Sequence, residues 1–356
     1  MSKKINSLQL ASLIICPILS ASIGIGLYNA IQISKNDSYI SIIIGCIIGL
    51  IPIIMLLIIA NYQEDKNIIE KINLLFGKTL GTVINYVISI LFIIIASTIL
   101  FGICNFIITQ ILSNTPVFVI ATSFGILSTY SSIKGIETIS RTQYLFSFII
   151  IIIFIIFTIS LYKEFDISNL KPFLKDGLTN PIKASIFSML SSIIPTFVIL
   201  IVPKNNIVDK KNYSKCILIF YGIASLLIII TSLFTIGVLG EHLASFYQYP
   251  EYILLKRISI FGFIDRIENL LSISWIFSTF ATLSLIIYYI SNNLNKKEKK
   301  KIPSIIISII IIVCSLYIFK NNTFFNNYVS NIYPYILSIF FIIFVFITSL
   351  ILIKRK

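Results

Sequence analysis

The chain has 356 residues, of which 57% are hydrophobic and 12% charged, and a formal net charge of +14; its mean hydropathy is +0.98. Soluble globular domains carry about 45–50% apolar and about 25% charged residues, so this composition excludes a soluble enzyme or binding domain and reads as an all-α integral membrane protein. The basic residues lie in short segments between apolar runs rather than on one soluble face, which excludes a nucleic-acid partner.

A hydrocarbon core about 30 Å thick needs roughly 17–25 apolar residues per helix. That length predicts ten transmembrane helices in one domain over residues 1–356, numbered α1 to α10: 8–31, 39–62, 82–108, 117–131, 142–162, 184–203, 216–240, 267–291, 303–319 and 334–353. With the N-terminus inside, the inner segments hold 19 Lys and Arg and 6 acidic residues, while the outer loops hold 9 and 8. The positive-inside rule therefore places both termini on the cytoplasmic side and turns the excess charge toward the anionic leaflet of the bilayer.

The first span contains ILSASIGIGLYNA at 18–30. Each of Gly24 and Gly26 costs about 1 kcal/mol of helix stability relative to Ala. Backbone freed by an interrupted helix is tolerated at membrane depth only where protein or a water-filled cavity satisfies its polar groups. A break at Gly24 and Gly26 beside Ser22 therefore points to a cavity, the alternative being close helix packing through the Ser20–Gly24 spacing. The basic start and the small residues near Ser20 also resemble a cleaved signal peptide, but apolar sequence continues through Ile33.

Farther along, Cys16, Cys46, Cys104, Cys216 and Cys314 each fall in an apolar run without the pair spacings of zinc or redox motifs, and read as packing residues. The central stretches of all ten spans carry no charge, which disfavours a proton relay. In α6, MLSSIIPTFVIL at 189–200 sets Ser191 and Ser192 before Pro195, and Pro removes a backbone donor. If ten helices divide five and five as inverted repeats, α6 corresponds to α1, and paired interruptions mark a transporter-type binding site. Half-helix N–H groups there favour a carboxylate and unwound carbonyls a cation, so an amino acid satisfies both.

Between α7 and α8 runs HLASFYQYPEYILLKRISIFGFIDRIENLLSISW, 242–275. Pro250 suits a first helical turn, and Tyr252, Leu255, Ile258 and Ser259 follow at helical spacing, giving a short amphipathic helix expected to lie at the outer interface. His242, the single histidine, reads as a solvated loop residue. Arg266 and Glu268, two residues apart, do not face each other on a helix and each meets a partner elsewhere. Trp275 is either an interfacial belt residue or a pocket wall. The KKEKKK run at 296–301 is a topology anchor between α8 and α9.

The segment YPEYILLKRIS, followed by FIDRIEN and a Trp, resembles the B subunits of spore germinant receptors of endospore-forming bacteria, within the amino acid, polyamine and organocation transporter superfamily. The basic N-terminus, QLASLIICPILSASIGIG in α1 and the ten spans extend the resemblance over the whole chain; Tyr249-Pro250 and Asp265-Arg266-Ile267-Glu268 are its specific part. It implies ten helices in two inverted repeats, residence in the inner spore membrane, assembly with A and C subunits, and sensing of a small nutrient, often an amino acid. It places the pocket at the broken parts of α1 and α6, here Ser22, Gly24 and Gly26 with Ser191, Ser192 and Thr196, and the walls on α3 and α8, with Asn105, Ser278, Thr279 and Thr282 as candidates.

Sodium coupling, where the superfamily uses it, would draw on α1 carbonyls with the hydroxyls of Ser278, Thr279 and Thr282. The lysine that some proton-coupled members carry in α5 is missing here, since Lys163 begins the outer loop. No metal or cofactor is implied, and one histidine with uncharged helix centres assembles no catalytic set. The alternative function is an amino-acid transporter of the same fold working by alternating access.

Overall fold

The structure is a computed structural model and describes residues 5–175, 177–256, 268–294, 301–319 and 321–354. Nine stretches are long and apolar enough to cross a membrane among these residues. The first, Ser7–Ala60, has 54 residues, about twice what a bilayer needs. It doubles back at Lys35, where φ is 51° and ψ −121°, so ten crossings result.

Three helical pieces make α1: Ser7–Ser12, Ile15–Ala21 and Leu27–Ser34. The second span, α2, comprises Ser38–Ile48 and Leu50–Ala60; α3 is Lys78–Gln110, α4 Val117–Lys134 and α5 Ile136–Leu161. The sixth, α6, comprises Thr179–Ser191 and Ile193–Ile199, and α7 is Tyr213–Phe246. The last three are α8 Glu268–Leu294, α9 Lys301–Ile318 and α10 Tyr333–Lys354. Most run past the apolar limits that hydropathy marks: α5 begins six residues earlier than expected, with an Arg141–Glu137 ion pair of 2.5 Å one turn apart. Helix propensity continues into the polar interface, where hydropathy no longer reports it.

Small residues let two helices approach closely, but at a pair other than the one expected. A Cβ on Gly45 would lie 2.5 Å from the Ser185 carbonyl oxygen, and one on Gly49 would lie 2.3 Å from the Tyr221 hydroxyl. The Gly45–Gly49 spacing thus carries the crossing of α2 with α6 and α7.

The face that carries the N-terminal segment is strapped shut. Ile5 pairs with Ile207 in a parallel bridge, and the Ser7 backbone N–H donates to Asp209 Oδ1 at 2.7 Å. Lys204 reaches Glu64 at 2.6 Å. Lys71, on the helix Ile68–Phe76, is 1% exposed and donates to the carbonyls of Ile59 and Ala60 at 2.8 and 3.3 Å, neutralising the negative C-terminal end of α2.

Pro250–Lys256 is a helix, as the sequence leads one to expect, but it does not lie on the surface. Tyr249, Glu251, Tyr252, Leu254 and Leu255 are all buried, and the helix plugs one end of the bundle against α7 and α8. Its apolar residues are too evenly distributed around about two turns to leave a wet face, apart from Lys256. Ile258, Ser259, Asp265 and Arg266 lie outside the described residues.

Candidate functional site

The α1 break is real and has a definite geometry. Ile23 is extended, with φ −69° and ψ 132°, and Gly24 is left-handed, with φ 71° and ψ −23°. Only glycine adopts that conformation without strain. Gly26, expected to share the break, has φ −66° and ψ −46°; two consecutive non-helical residues suffice, so it opens the second half-helix instead.

Two backbone groups at the break are met by side chains. Asn29 donates to the Ile25 carbonyl at 2.8 Å and accepts from the Ser330 hydroxyl at 2.6 Å. The Gly24 N–H donates to Glu251 Oε1 at 2.6 Å. Glu251 is 1% exposed, and its second oxygen, Oε2, is buried with no hydrogen-bond partner among the described residues. Burial pushes the Glu251 carboxyl up to about 7, against the opposing pull of the backbone N–H groups of Glu251 and Gly24.

Above the break sits an aromatic roof. The Trp275 ring covers Gly24 so closely that a Cβ there would lie 2.2 Å from it. Phe106 packs on Trp275, Tyr249 and Tyr252 with centroid separations of 4.8, 5.2 and 5.1 Å. Trp275 is thus buried against the α1 break rather than standing in an interfacial belt. The space enclosed by Ile23, Phe106, Glu251, Tyr252 and Trp275 admits no water-sized sphere, so in this conformation the break is closed.

A polar latch holds the roof from outside. Asn105 donates to the Tyr249 hydroxyl at 2.5 Å and to Asn322 Oδ1 at 3.0 Å. Gln248 and Asn322 exchange amide hydrogen bonds at 2.9 and 2.5 Å, tying the roof to the helix Asn322–Asn331. Asn105, chosen as a pocket wall, is thus a latch residue above the break.

The candidates on α6 are less open than those on α1. The interruption falls at Ser192, whose φ of −72° and ψ of −14° remain helical. Its N–H turns to Met189 O at 3.2 Å, a tightened turn rather than unwound backbone. Pro195 sits inside the following helical piece, because a Pro near a fresh helix start removes a donor that had no partner to lose. The hydroxyls of Ser191, Ser192 and Thr196 donate to the carbonyls of Ser188, Met189 and Ile193 three residues earlier, and Ser22 reaches Ser191 at 3.5 Å.

On α8 the hydroxyls divide. Thr282 and Ser20 of α1 join at 2.9 Å, stitching α8 to α1 below the break. Ser278 and Thr279 are fully buried, and the Thr279 hydroxyl has no hydrogen-bond partner among the described residues. His242 is exposed, as expected.

What residue reasoning missed is Glu251. A search for charge at the helix centres overlooks a carboxyl carried in from an outer loop. The available signal was a Glu directly after Tyr249-Pro250 in an otherwise apolar YPEYILL, where a solvent-facing acid has no apolar reason to be.

Comparison with known proteins fits this architecture. A family model for the spore germination protein (spore permease) family matches residues 4–325. Spore germination protein A2 of Bacillus subtilis (strain 168) is 28% identical over 296 residues, covering 82% of this chain and 80% of the relative. Spore germination protein KB of the same organism is 24% identical over 265 residues, covering 72% and 69%. Among solved structures, a Na+-coupled sialic acid symporter in a substrate-bound outward-open state superposes with a TM-score of 0.67 at 12% identity, covering 98% of this chain and 78% of that one. The nucleobase-cation-symport transporter Mhp1 does so at 0.63 and 12% identity, covering 92% and 74%. The fold is therefore that of these symporters, two five-helix repeats with the interrupted helices first in each, and the chain belongs to the spore germination protein family.

Proposed function

We propose that this protein is the B subunit of a spore germinant receptor, binding a small nutrient, most simply an amino acid, at the α1 break facing α6. The observation that carries the reading is the Gly24 N–H, released at the break and aimed at a carboxyl 2.6 Å away. A nutrient bound there shifts the closed state toward an open one by its difference in affinity for the two, and the change passes to A and C subunits in the inner spore membrane. Both termini lie on the core side in this reading. Thermal-shift titration of the purified protein against the twenty amino acids tests it: one or a few should raise the melting temperature, and replacing Gly24 with Leu should abolish that response. Single-cysteine probes at Asp65 and Lys175 should label from the core side and the opposite side respectively.

The symporter fold favours one other reading, an amino-acid transporter acting alone by alternating access. Uptake of radiolabelled amino acid by the isolated protein in liposomes would support it, and binding without uptake would support the sensor.

A further inference from the structure

Glu251 is not an ordinary buried residue. One oxygen takes the Gly24 N–H, the other is fully buried with no partner among the described residues, and the residue rides on a seven-residue helix that packs on α7 and α8 and is tied at its start by the Asn105, Asn322 and Gln248 latch. Among the described residues no Lys, Arg or His comes within 4.0 Å of it. Its surroundings are Ile23 of α1, Phe106 of α3, Leu271, Ser272 and Trp275 of α8, and among the described residues the titratable neighbours are Tyr249 and Tyr252 of its own segment.

A carboxyl stationed for structure alone is expected to have both oxygens satisfied, because an unpaired buried acceptor is costly. This one satisfies the break with half of its acceptors and closes the space that a ligand would need. Resting on the nutrient-site reading above, we infer that the Glu251 carboxyl is a tethered occupant of the α1 break, filling the position of a ligand's carboxylate and leaving with the outer segment when a carboxylate ligand binds. The ligand class is thereby a monocarboxylate small enough to fit beneath Trp275, and the resting protein is held closed by its own side chain. Opening costs the latch and the roof contacts; the incoming carboxylate restores the Gly24 hydrogen bond, so the exchange is near balance and sensitive to ligand concentration.

The test uses the full-length purified protein in lipid nanodiscs, wild type beside Glu251→Ala and Glu251→Gln, with sodium acetate as the minimal probe, sodium chloride as the control, and the amino-acid panel in parallel. In Glu251→Ala the break is vacated, so acetate should raise the melting temperature where it leaves the wild type unchanged. Apparent amino-acid affinity should rise roughly tenfold, the factor recovered when a competent state about a tenth populated becomes the rule, while the corresponding amino-acid amides gain nothing. If Glu251→Ala does not fold, Glu251→Gln keeps the acceptor and the shape without a charge, and an amino-acid affinity at neutral pH below that of the wild type counts as support. Acetate acting equally on wild type and Glu251→Ala would overturn the inference. So would loss of amino-acid binding in both variants, which would make Glu251 the receiver of the ligand's ammonium. Acetate stabilising Glu251→Ala while no amino acid binds any of the three proteins would leave the tethered occupant standing and remove the nutrient reading instead.

Discussion

The interruptions in α1 and α6 occupy corresponding places in the two repeats and look alike in sequence, each a cluster of small polar residues beside a helix-weakening one, yet they fold differently. In α1 the backbone leaves helical geometry at Ile23 and Gly24; Glu251, from a distant segment, takes the Gly24 N–H, and Asn29 of α1 itself caps the Ile25 carbonyl. In α6 the backbone stays helical through Ser192 and Pro195, and the hydroxyls return to carbonyls of their own helix. A proline deletes one donor and leaves a usable helix; a glycine with positive φ opens one, but only if a distant group supplies the missing partner. The break is thus a property of the pair Gly24 and Glu251, not of α1 alone.

The sharpest way to break this comparison is to fill the left-handed position. Gly24→Leu meets both backbone strain and the Trp275 ring and should cost about 4 kcal/mol by the sum of strained φ and overpacking, whereas Pro195→Ala should cost no more than about 1 kcal/mol; thermal unfolding in one detergent compares them directly, and equal losses would mean that α6 is as open as α1. Trp275→Ala removes the roof and should cost about 3 kcal/mol, with a gain in accessibility of a cysteine placed at Ile23 to thiol reagents.

The next effect is on pH. The Glu251 carboxyl titrates at an ordinary value of 4.5 when released and at about 7 when seated, so the seated state binds the extra proton. Seating is therefore fully favoured below about 4.5 and loses up to tenfold per pH unit as pH rises from 4.5 to about 7, levelling off above. Amino-acid affinity should rise across that window in the wild type and stay flat in Glu251→Gln; a parallel rise in both would assign the titration to another group. The smallest effect is expected at the latch. Asn322→Ala removes hydrogen bonds to Gln248 and Asn105 and should loosen the outer segment by about 1 kcal/mol, read as faster hydrogen exchange at 249–256 and unchanged exchange in α6.

Much of this was legible before any coordinates. Ten spans follow from apolar run length, the Gly24 break from glycine's helix cost, and the helix after Tyr249 from Pro250. Helix ends ran long because hydropathy stops at the lipid boundary while hydrogen bonding does not. The segment after Pro250 was placed on the surface because its spacing fits an amphipathic helix as well as a plug, and only the shape of the bundle decides between them. The α6 serines, expected as ligand groups, donate in this closed conformation to carbonyls three residues back, acceptors that a helical hydroxyl reaches at no cost in order.

By itself the sequence determined the membrane class, the number of crossings and the place where α1 cannot remain a helix, since each is a local matter of transfer free energy or backbone freedom. Tertiary structure alone decided what answers the freed Gly24 N–H, because Glu251 lies 227 residues away and no local pattern brings it there. It also decided that α6 stays wound, since that depends on which of several available acceptors each hydroxyl finds once neighbouring helices have taken the rest.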